Sequence, residues 1–505
     1  MESLLPNIDR YYHGFPTPEG YVLQLLGSSQ YDAPVEDSTA RARGGVIAMP
    51  VDGSIPKQYR AEVLTSAHQT PALAHLWDNC IGDIILGKLN TAIPTGLHID
   101  CNLVNISHEP DTQRNVVLIV VNSASTYTSA SILSQTQGEQ LTTLIAAEAN
   151  SVLLGLPDGP NAGISPSYGV VVEIAALCKI PSAYGASTFG SCGGVFEISW
   201  ASDHGMAPYT SDFVLTCHHI RGQSPQSSVE SQVRSYDLMQ DLKGGALLET
   251  LRTLKQGEIK LDLQVPSAPN ISASIQRCQQ DIILLQPRPL NSKIAPFLSQ
   301  RRGLLEKLQN NDYSVGICVS SSGFRLTADG LFEDWMVGFL VNNHNLTNDL
   351  LPPFSIQEIT PHPTSNDMNS LFGRLVVKNG ATTGHTGGCI NGFYIFSIRY
   401  SATTDTSTTA TTVTNGEYKI VGKIFQIIGE DNTLFSAPGD SGAAVVDMDG
   451  RHTGIINGGI VAKEDKSTGL FTLMTDIRVI LNAIGNKLGF NGLEVKLKSY
   501  IEIFR

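Results

Sequence analysis

The sequence predicts an α+β protein of more than one domain, with an N-terminal α/β domain, a mainly-β region and a C-terminal helix. Three observations lead to this fold class. Before residue 180, two apolar strands flank an amphipathic helix. From about Ala186, short strands alternate with turns rich in glycine, serine and threonine. The length of 505 residues is enough for about two to four domains.

The α/β domain is predicted over residues 1–165. Its clearest strand is 115–121, an apolar run, NVVLIVV, that would be buried on both sides. A helix is predicted over 138–154, because apolar side chains recur there every three or four residues and form one face. Another strand, 169–174, follows a segment punctuated by proline and glycine. We find no catalytic constellation in this domain and expect a regulatory or pro-region.

The mainly-β region is predicted over residues 186–490, as a barrel or a sandwich. A first barrel would occupy 186–345 around a polar, partly helical insertion at 222–303, and a second barrel would occupy 370–475. A final helix is expected from Asp476 to Leu488, with Gly489 just past its end. The predicted strands are 195–200, 213–217, 315–319, 335–341, 374–378, 392–400, 418–427, 442–446, 454–460 and 470–474.

Composition excludes several kinds of function. Charged residues make up only 16% of the chain, the formal net charge is −13, and no basic run is present, so we expect no nucleic-acid partner. No stretch approaches the roughly 20 consecutive apolar residues of a membrane span. The first residues lack the basic-then-apolar pattern of a signal peptide, and an intracellular location is therefore expected. The eight cysteines have no CxxC spacing, which predicts neither a zinc site nor a disulfide framework.

The sharpest motif is the octapeptide APGDSGAA at residues 437–444. A nucleophilic serine requires a tight turn and two backbone N–H groups directed at the developing oxyanion. Gly439 would let its own N–H and that of Ser441 converge, and Gly442 would leave room behind the serine. Taken alone, the tetrapeptide GDSG fits an ordinary turn equally well.

Two upstream segments complete a constellation in the order His, Asp, Ser. His219 follows the apolar strand 213–217, where an imidazole at a strand end can act as a general base. Asp334 precedes a second apolar strand, where a half-buried carboxylate can orient an imidazole. Each residue also has an ordinary structural interpretation, and His218 would exchange with His219 on a one-residue shift of register.

These segments resemble the chymotrypsin-like, or trypsin-like, serine peptidase family. VLTCHH at 214–219 is similar to the family's histidine segment, EDWM at 333–336 to its aspartate segment, and GDSG at 439–442 to its serine segment. The resemblance implies two six-stranded antiparallel barrels with the triad between them. It also implies that Gly439 and Ser441 form the oxyanion hole, that Asn457, Gly458 and Gly459 pair with substrate backbone, and that Phe435 lies at the floor of the specificity pocket. Because Phe435 is apolar, a small or apolar side chain before the scissile bond is expected.

A narrower resemblance is to intracellular fungal proteases of this fold, some with an N-terminal α/β domain. It is based on KNGATTGHTGG at 378–388, which is structurally a hairpin turn. The chain also departs from the secreted members. Ile220 replaces their histidine-loop cysteine, and no IVGG start precedes the first barrel, so the usual amine partner of the aspartate before the serine is missing. The oxyanion hole would then be held in another way, or completed by a partner or by substrate.

The sequence therefore predicts a serine endopeptidase that acts on a polypeptide substrate without a metal or other cofactor. Cleavage of the N-terminal domain by the chain itself is a further hypothesis. The first alternative is a catalytically inactive scaffold or peptide-binding protein with the same fold. The second is an esterase of the α/β-hydrolase type, which is disfavoured because that class runs Ser–Asp–His and carries GxSxG.

Overall fold

The protein is described here from a computed structural model. It describes residues 11–12, 15–16, 21–28, 60–62, 76–93, 98–107, 114–123, 135–154, 171–179, 190–200, 209–222, 262–264, 268–285, 294–311, 313–323, 325–340, 348–351, 354–356, 358–359, 368–401, 412–414, 417–430, 435–437, 439–460, 471–488 and 494–497. Within those ranges, no helix combines the length and the apolar character needed to cross a membrane.

The N-terminal part of the chain forms an α/β layer. Its strands β1 to β7 are Tyr11–Tyr12, Phe15–Pro16, Tyr21–Ser28, Arg60–Glu62, His98–Ser107, Arg114–Ser123 and Val171–Lys179. Helix α1 is Gly82–Ala92, which continues a π-helical segment at Trp77–Ile81, and helix α2 is Gln135–Leu154.

Strands β6 and β7 are parallel, and α2 lies between them in the chain, which makes a βαβ unit. The predicted strands at 115–121 and 169–174 and the predicted helix at 138–154 are confirmed. One of the recurring apolar residues that were to form the buried face, Leu144, is instead 45% exposed, while Ile145 and Ala149 are fully buried. The sheet also continues to Lys179, beyond the boundary predicted at residue 165.

The middle of the chain contains a six-stranded sheet and a helical hairpin. Strands β8 to β14 are Val195–Trp200, Tyr209–Thr216, Asp262–Gln264, Ser314–Ser321, Arg325–Leu326, Phe332–Glu333 and Met336–Leu340. Helix α3, Ala268–Leu285, lies within the polar insertion, and helix α4, Ile294–Asn310, begins in it and extends beyond residue 303; the two helices pack on each other.

The remaining elements complete the mainly-β region. Strands β15 to β26 are Asp349–Leu351, Phe354–Ser355, Glu358–Ile359, Leu375–Gly380, Gly384–Ile390, Ile395–Ser401, Thr412–Thr414, Glu417–Gly429, Ala444–Asp447, Arg451–Ile460, Phe471–Asp476 and Glu494–Leu497. Helix α5, Ile477–Leu488, confirms the predicted C-terminal helix. Short 3-10 turns lie at His219–Gly222 and Met368–Leu371.

Most of these strands lie in two sheets, in which they pair with each other antiparallel, except that β17 lies parallel to β24; apart from these sheets, β12 pairs with β13 and β15 with β16. The first has the order β10-β11-β14-β9-β8-β26, so the last described strand, which was not predicted, pairs with β8. In the second, β18, β19, β22, β25, β24 and β23 each pair with the next, and β23 pairs back with β18. That ring is a closed six-stranded barrel, filled by a core that includes Phe425, Val445 and Met474. This closed barrel is compatible with a chymotrypsin-like barrel fold, whereas the first sheet, which was predicted as a barrel, is open among the described strands.

The α/β layer is joined to the second barrel through one strand pair. Strand β20 pairs with β22 on one side and with β5 on the other, so one hydrogen-bonded sheet runs from the barrel into the N-terminal layer. The Trp77 indole N–H donates to the Tyr394 carbonyl at 3.0 Å, and Phe393 and Phe396 lie in the same apolar core as Ile85 and Ile119. The two parts therefore share a core as well as a sheet.

Candidate functional site

The two adjacent histidines at the end of β9 have different partners. The His219 Nδ1 atom lies 2.6 Å from Asp334 Oδ2, and the His219 backbone N–H donates to Asp334 Oδ1 at 3.0 Å. The fully buried His218 instead forms a 3.0 Å hydrogen bond between its Nδ1 and the Ser321 hydroxyl. Of the two imidazoles, only that of His219 is partly exposed, at 19% of its side chain.

Asp334 lies between β13 and β14 and is 4% exposed. Its segment is fixed by Ser322, which exchanges backbone and side-chain hydrogen bonds with Trp335. Burial on its own raises the pKa of the Asp334 carboxyl, but the charge and hydrogen bonds of His219 and the charge of His218 outweigh it. The net pKa is lowered, so Asp334 is a carboxylate at neutral pH.

Ser441 lies on a tight turn with glycine in the left-handed region on either side. Gly439 has φ of +102° and Gly442 has φ of +90°. The turn is closed by the Asp440 N–H, which donates to Ala437 O, and by the Ala443 N–H, which donates to Asp440 O, both at 2.9 Å. A Cβ atom on Gly442 would lie 2.3 Å from both Ser191 O and Thr216 Oγ1. This position therefore requires glycine for its backbone angle and for its packing.

Two backbone N–H groups of the turn have no acceptor among the described residues. Within the described part of the chain, no hydrogen bond uses the N–H of Gly439 or of Ser441 as its donor. The carbonyl groups beside them are fixed, because Ser191 Oγ donates to Gly439 O at 3.0 Å and Ser191 N donates to Ser441 O at 2.7 Å. The Ser441 side chain itself is half-buried.

The serine turn and the histidine strand end meet at one place. The Ile456 carbonyl accepts both the Gly442 N–H, at 2.6 Å, and the Cys217 thiol, at 2.9 Å. The Ser191 carbonyl accepts the Thr216 hydroxyl at 2.8 Å. Gly442, which follows Ser441, and Cys217, two residues before His219, therefore share the Ile456 carbonyl as their hydrogen-bond acceptor. Sequence reasoning missed Ser191, whose role in the contact depends on tertiary folding and has no local signal.

The strand edge beside the turn is open. Strand β24 pairs with β23 only as far as Ile455, while on its other side it pairs with β25 up to Ile460. Beyond Ile456, exposure rises from the half-buried Asn457 and Gly458 to the exposed Gly459. The Asn457 amide group donates to Thr475 Oγ1 at 2.6 Å. Among the described strands, none covers the edge at residues 457–459.

Phe435 lies six residues before Ser441 and is 2% exposed. Its ring belongs to the core of the second barrel, and its carbonyl accepts the Thr386 hydroxyl at 2.7 Å. The neighbouring Ser436 hydroxyl forms a 2.6 Å hydrogen bond with that of Thr472, and both side chains are buried. These polar groups lie beside the predicted pocket-floor residue and were not identified from the sequence.

One cluster in the described ranges has donor atoms of the kind that bind metals. Atoms of Cys217, His219 and Asp334 all lie within 4.8 Å of one another. Burial, with the charge of Asp334, raises the pKa of the Cys217 thiol well above its usual range, and the thiol donates to a carbonyl. Metal binding requires the thiolate, so the state of Cys217 disfavours a metal at this position.

Comparison with known proteins finds similarity only among solved structures. No family model and no curated protein matches the chain. An inactive form of the Rv3671c protease is 17% identical, with a TM-score of 0.17 over 33% of this chain and 67% of that one. An inactive serine-to-alanine mutant of Rv3671c from M. tuberculosis H37Rv is 15% identical, with a TM-score of 0.17 over 34% and 72%. The HtrA-type protease AlgW with a tripeptide is 9% identical, with a TM-score of 0.20 over 59% and 61%. Because these scores are so low, the activity of those proteases is not transferred to this chain.

Proposed function

We propose that this chain is a serine endopeptidase in which Ser441 is the nucleophile, His219 the general base and Asp334 the orienting acid. The observation that carries the proposal is the 2.6 Å contact between His219 Nδ1 and Asp334 Oδ2, at the strand end that meets the Ser441 turn. With Nδ1 bound to the carboxylate, Nε2 is the ring nitrogen that would take a proton from a hydroxyl.

In this mechanism, Ser441 Oγ attacks the scissile carbonyl and His219 removes its proton. The tetrahedral intermediate places its oxyanion against the N–H groups of Gly439 and Ser441, which have no other acceptor in the described part of the chain. His219 then donates the proton to the leaving amine, and Asp334 stabilises the imidazolium during both steps. Hydrolysis of the acyl-enzyme by water repeats the sequence.

The substrate class is a polypeptide in extended conformation. An extended peptide can add as a strand to an open sheet edge, with its backbone hydrogen-bonded to that edge. The edge at Asn457, Gly458 and Gly459 is adjacent to Ile456, whose carbonyl already binds the residue after Ser441. With an apolar Phe435 before the turn, we propose a small or apolar residue before the scissile bond; efficient cleavage after Lys or Arg would contradict that preference.

The test is active-site labelling of the full chain with a fluorophosphonate probe, followed by mass spectrometry of the labelled peptide. Labelling on Ser441 that disappears in Ser441→Ala and His219→Ala is the expected result. Ser320→Ala is the matched control, because Ser320 is a buried serine whose hydroxyl has no hydrogen-bond partner among the described residues. Labelling that persists in Ser441→Ala would remove the nucleophile assignment. A wild-type chain that is neither labelled nor able to cleave an unfolded polypeptide would favour the inactive scaffold.

A further inference from the structure

The side chain of Lys378 is fully buried beside the serine turn. Its ammonium group contacts three oxygen atoms, which are Asp440 Oδ2 at 3.0 Å, Gly384 O at 3.0 Å and the Thr383 hydroxyl. Three acceptors match the three N–H donors of an ammonium group, so the charge is fully hydrogen-bonded without water. Lys378 is the first residue of the glycine- and threonine-rich hairpin 378–388, whose function the mechanism above does not explain.

Asp440, the residue before Ser441, is equally buried and has both oxygens occupied. Oδ1 accepts the backbone N–H groups of Thr382, at 2.7 Å, and Thr383, at 3.2 Å. Oδ2 accepts the Thr383 hydroxyl at 2.6 Å and the Ala437 N–H at 2.9 Å, in addition to the Lys378 ammonium group. One carboxylate therefore links the tip of the hairpin to the start of the serine turn.

The hairpin is shaped for this contact. A Cβ atom on Gly380 would lie 2.3 Å from Asp440 Oδ1 and 2.8 Å from Lys378 Nζ, so a side chain there would displace the ion pair. The hairpin also contacts the turn a second time, because the Ala381 N–H donates to Ser191 Oγ, which in turn donates to Gly439 O. The hairpin is thus held against the Asp440 side chain and, through Ser191, against the Gly439 carbonyl, which lies between the two proposed oxyanion donors.

We propose that Lys378 is a positioning residue for the oxyanion hole, and that it supplies from within the uncut chain the positive charge that holds Asp440 in place. This inference rests on the proposed function. Lys378 touches no reacting atom; it acts through Asp440, whose carbonyl is in the same peptide group as the Ser441 N–H. Both residues belong to one chain, 62 positions apart, so the ion pair forms without a new N-terminus. The missing amine partner noted in the sequence is replaced by this lysine.

The experiment compares Lys378→Met with the wild-type full chain, using the cleavage of a peptide and fluorophosphonate labelling. Methionine keeps most of the side-chain length and removes the charge. Since loss of one oxyanion donor costs about 100-fold or more in kcat, we expect a fall of about 100-fold in kcat with little change in KM. Lys307→Met, which changes an exposed lysine on α4, is the control and keeps the wild-type kcat. A folded Lys378→Met chain with wild-type kcat would overturn the inference.

A second variant covers the case in which Lys378→Met does not fold, because that change leaves the Asp440 charge buried without its partner. The double variant Lys378→Met and Asp440→Asn removes both charges. We expect it to regain folding and to retain the low kcat; full recovery of kcat would show that the pair is only structural. Mass spectrometry of the labelled wild type should show the label on uncut chains, and a label confined to chains cut before Gly190 would contradict the inference. A wild-type chain without any activity would instead reject the proposed function itself.

Discussion

The Ser397 hydroxyl donates a hydrogen bond of 2.6 Å to the Asp100 carboxylate, across the pair of strands that joins the second barrel to the N-terminal layer. Both side chains are buried, and the bond lies between Ile99 and Cys101 on one strand and Phe396 and Ile398 on the other. Polar groups buried at a seam of this kind contribute to stability only while each has its partner.

Ser397→Ala should therefore destabilise the full chain. Removal of the hydroxyl leaves the Asp100 oxygen without this donor, and the expected loss is about 1–3 kcal/mol in the free energy of unfolding. Urea denaturation followed by circular dichroism measures the change, with Ser299→Ala on the exposed face of α4 as the control. Equal urea midpoints for the two variants would show that the hydrogen bond between Ser397 and Asp100 contributes little to stability.

Asp334→Asn should keep the fold and lower kcat by about 10³- to 10⁴-fold, because the amide does not hold the imidazole in the tautomer that accepts the Ser441 proton. Steady-state peptide cleavage measures kcat and KM separately. A variant with kcat within tenfold of wild type would argue that Asp334 does not orient the base.

The same carboxyl should make stability dependent on pH. Its folded pKa is lowered, so it stabilises the folded state above the unfolded carboxyl pKa of about 4, and the stabilisation is lost as pH falls through the folded value. The difference in unfolding free energy between wild type and Asp334→Asn should therefore shrink between pH 5 and more acidic conditions, by about 1.4 kcal/mol for each unit of pKa difference. Urea melts at several pH values measure this; a difference that grows in acid would contradict the sign.

His218 and His219 should respond differently to substitution by alanine. His219→Ala removes the base, and fluorophosphonate labelling should be lost. His218→Ala removes the hydrogen bond to Ser321 inside the first sheet, so we expect lower stability by about 1–3 kcal/mol but retained labelling. The reverse pattern would mean that the two imidazoles exchange roles in solution.

Gly442→Ala and Gly303→Ala form a matched pair of glycine substitutions. At Gly442 the positive φ and the 2.3 Å approaches to Ser191 and Thr216 should cost more than about 2 kcal/mol and abolish activity. At Gly303, inside α4, nothing lies within 4 Å of the new Cβ, and alanine should stabilise the chain by about 0.5–1 kcal/mol. Thermal melting distinguishes them, and a shift of the same sign in both would refute the steric argument.

The sequence predicted best what depends on short-range pattern. The amphipathic helix over 138–154 and the apolar strand over 115–121 were predicted because their periodicity reflects a buried face or a buried strand. Strand β5 was missed, since its alternation, with Ile99, Cys101 and Leu103 buried, is broken at Val104 and Asn105. The terminal strand β26 was also missed, because its pairing with β8 joins residues about 300 positions apart.

The candidate site also separates into residues with a local sequence pattern and residues without one. Ser441, His219 and Asp334 could be singled out because each follows or precedes a recognisable strand or turn. Ser191 and Lys378 could not be assigned a role, because their contacts with Gly439 and Asp440 are made across 248 and 62 residues of chain. Side chains of this kind have no local signature; only the folded chain brings their partners within hydrogen-bond distance.

Two of the three tryptophans lie at informative places. Trp77 is fully buried at the seam, against Phe393 and Phe396, and Trp335 is fully buried next to Asp334, with its indole N–H 3.0 Å from Glu333. Intrinsic fluorescence of the full chain therefore includes one reporter for the joint between the two parts and one for the Asp334 carboxylate, which we propose orients the base. With Trp77→Phe and Trp335→Phe, the emission can be separated, and the order in which the seam and the site open during unfolding becomes measurable without an added label.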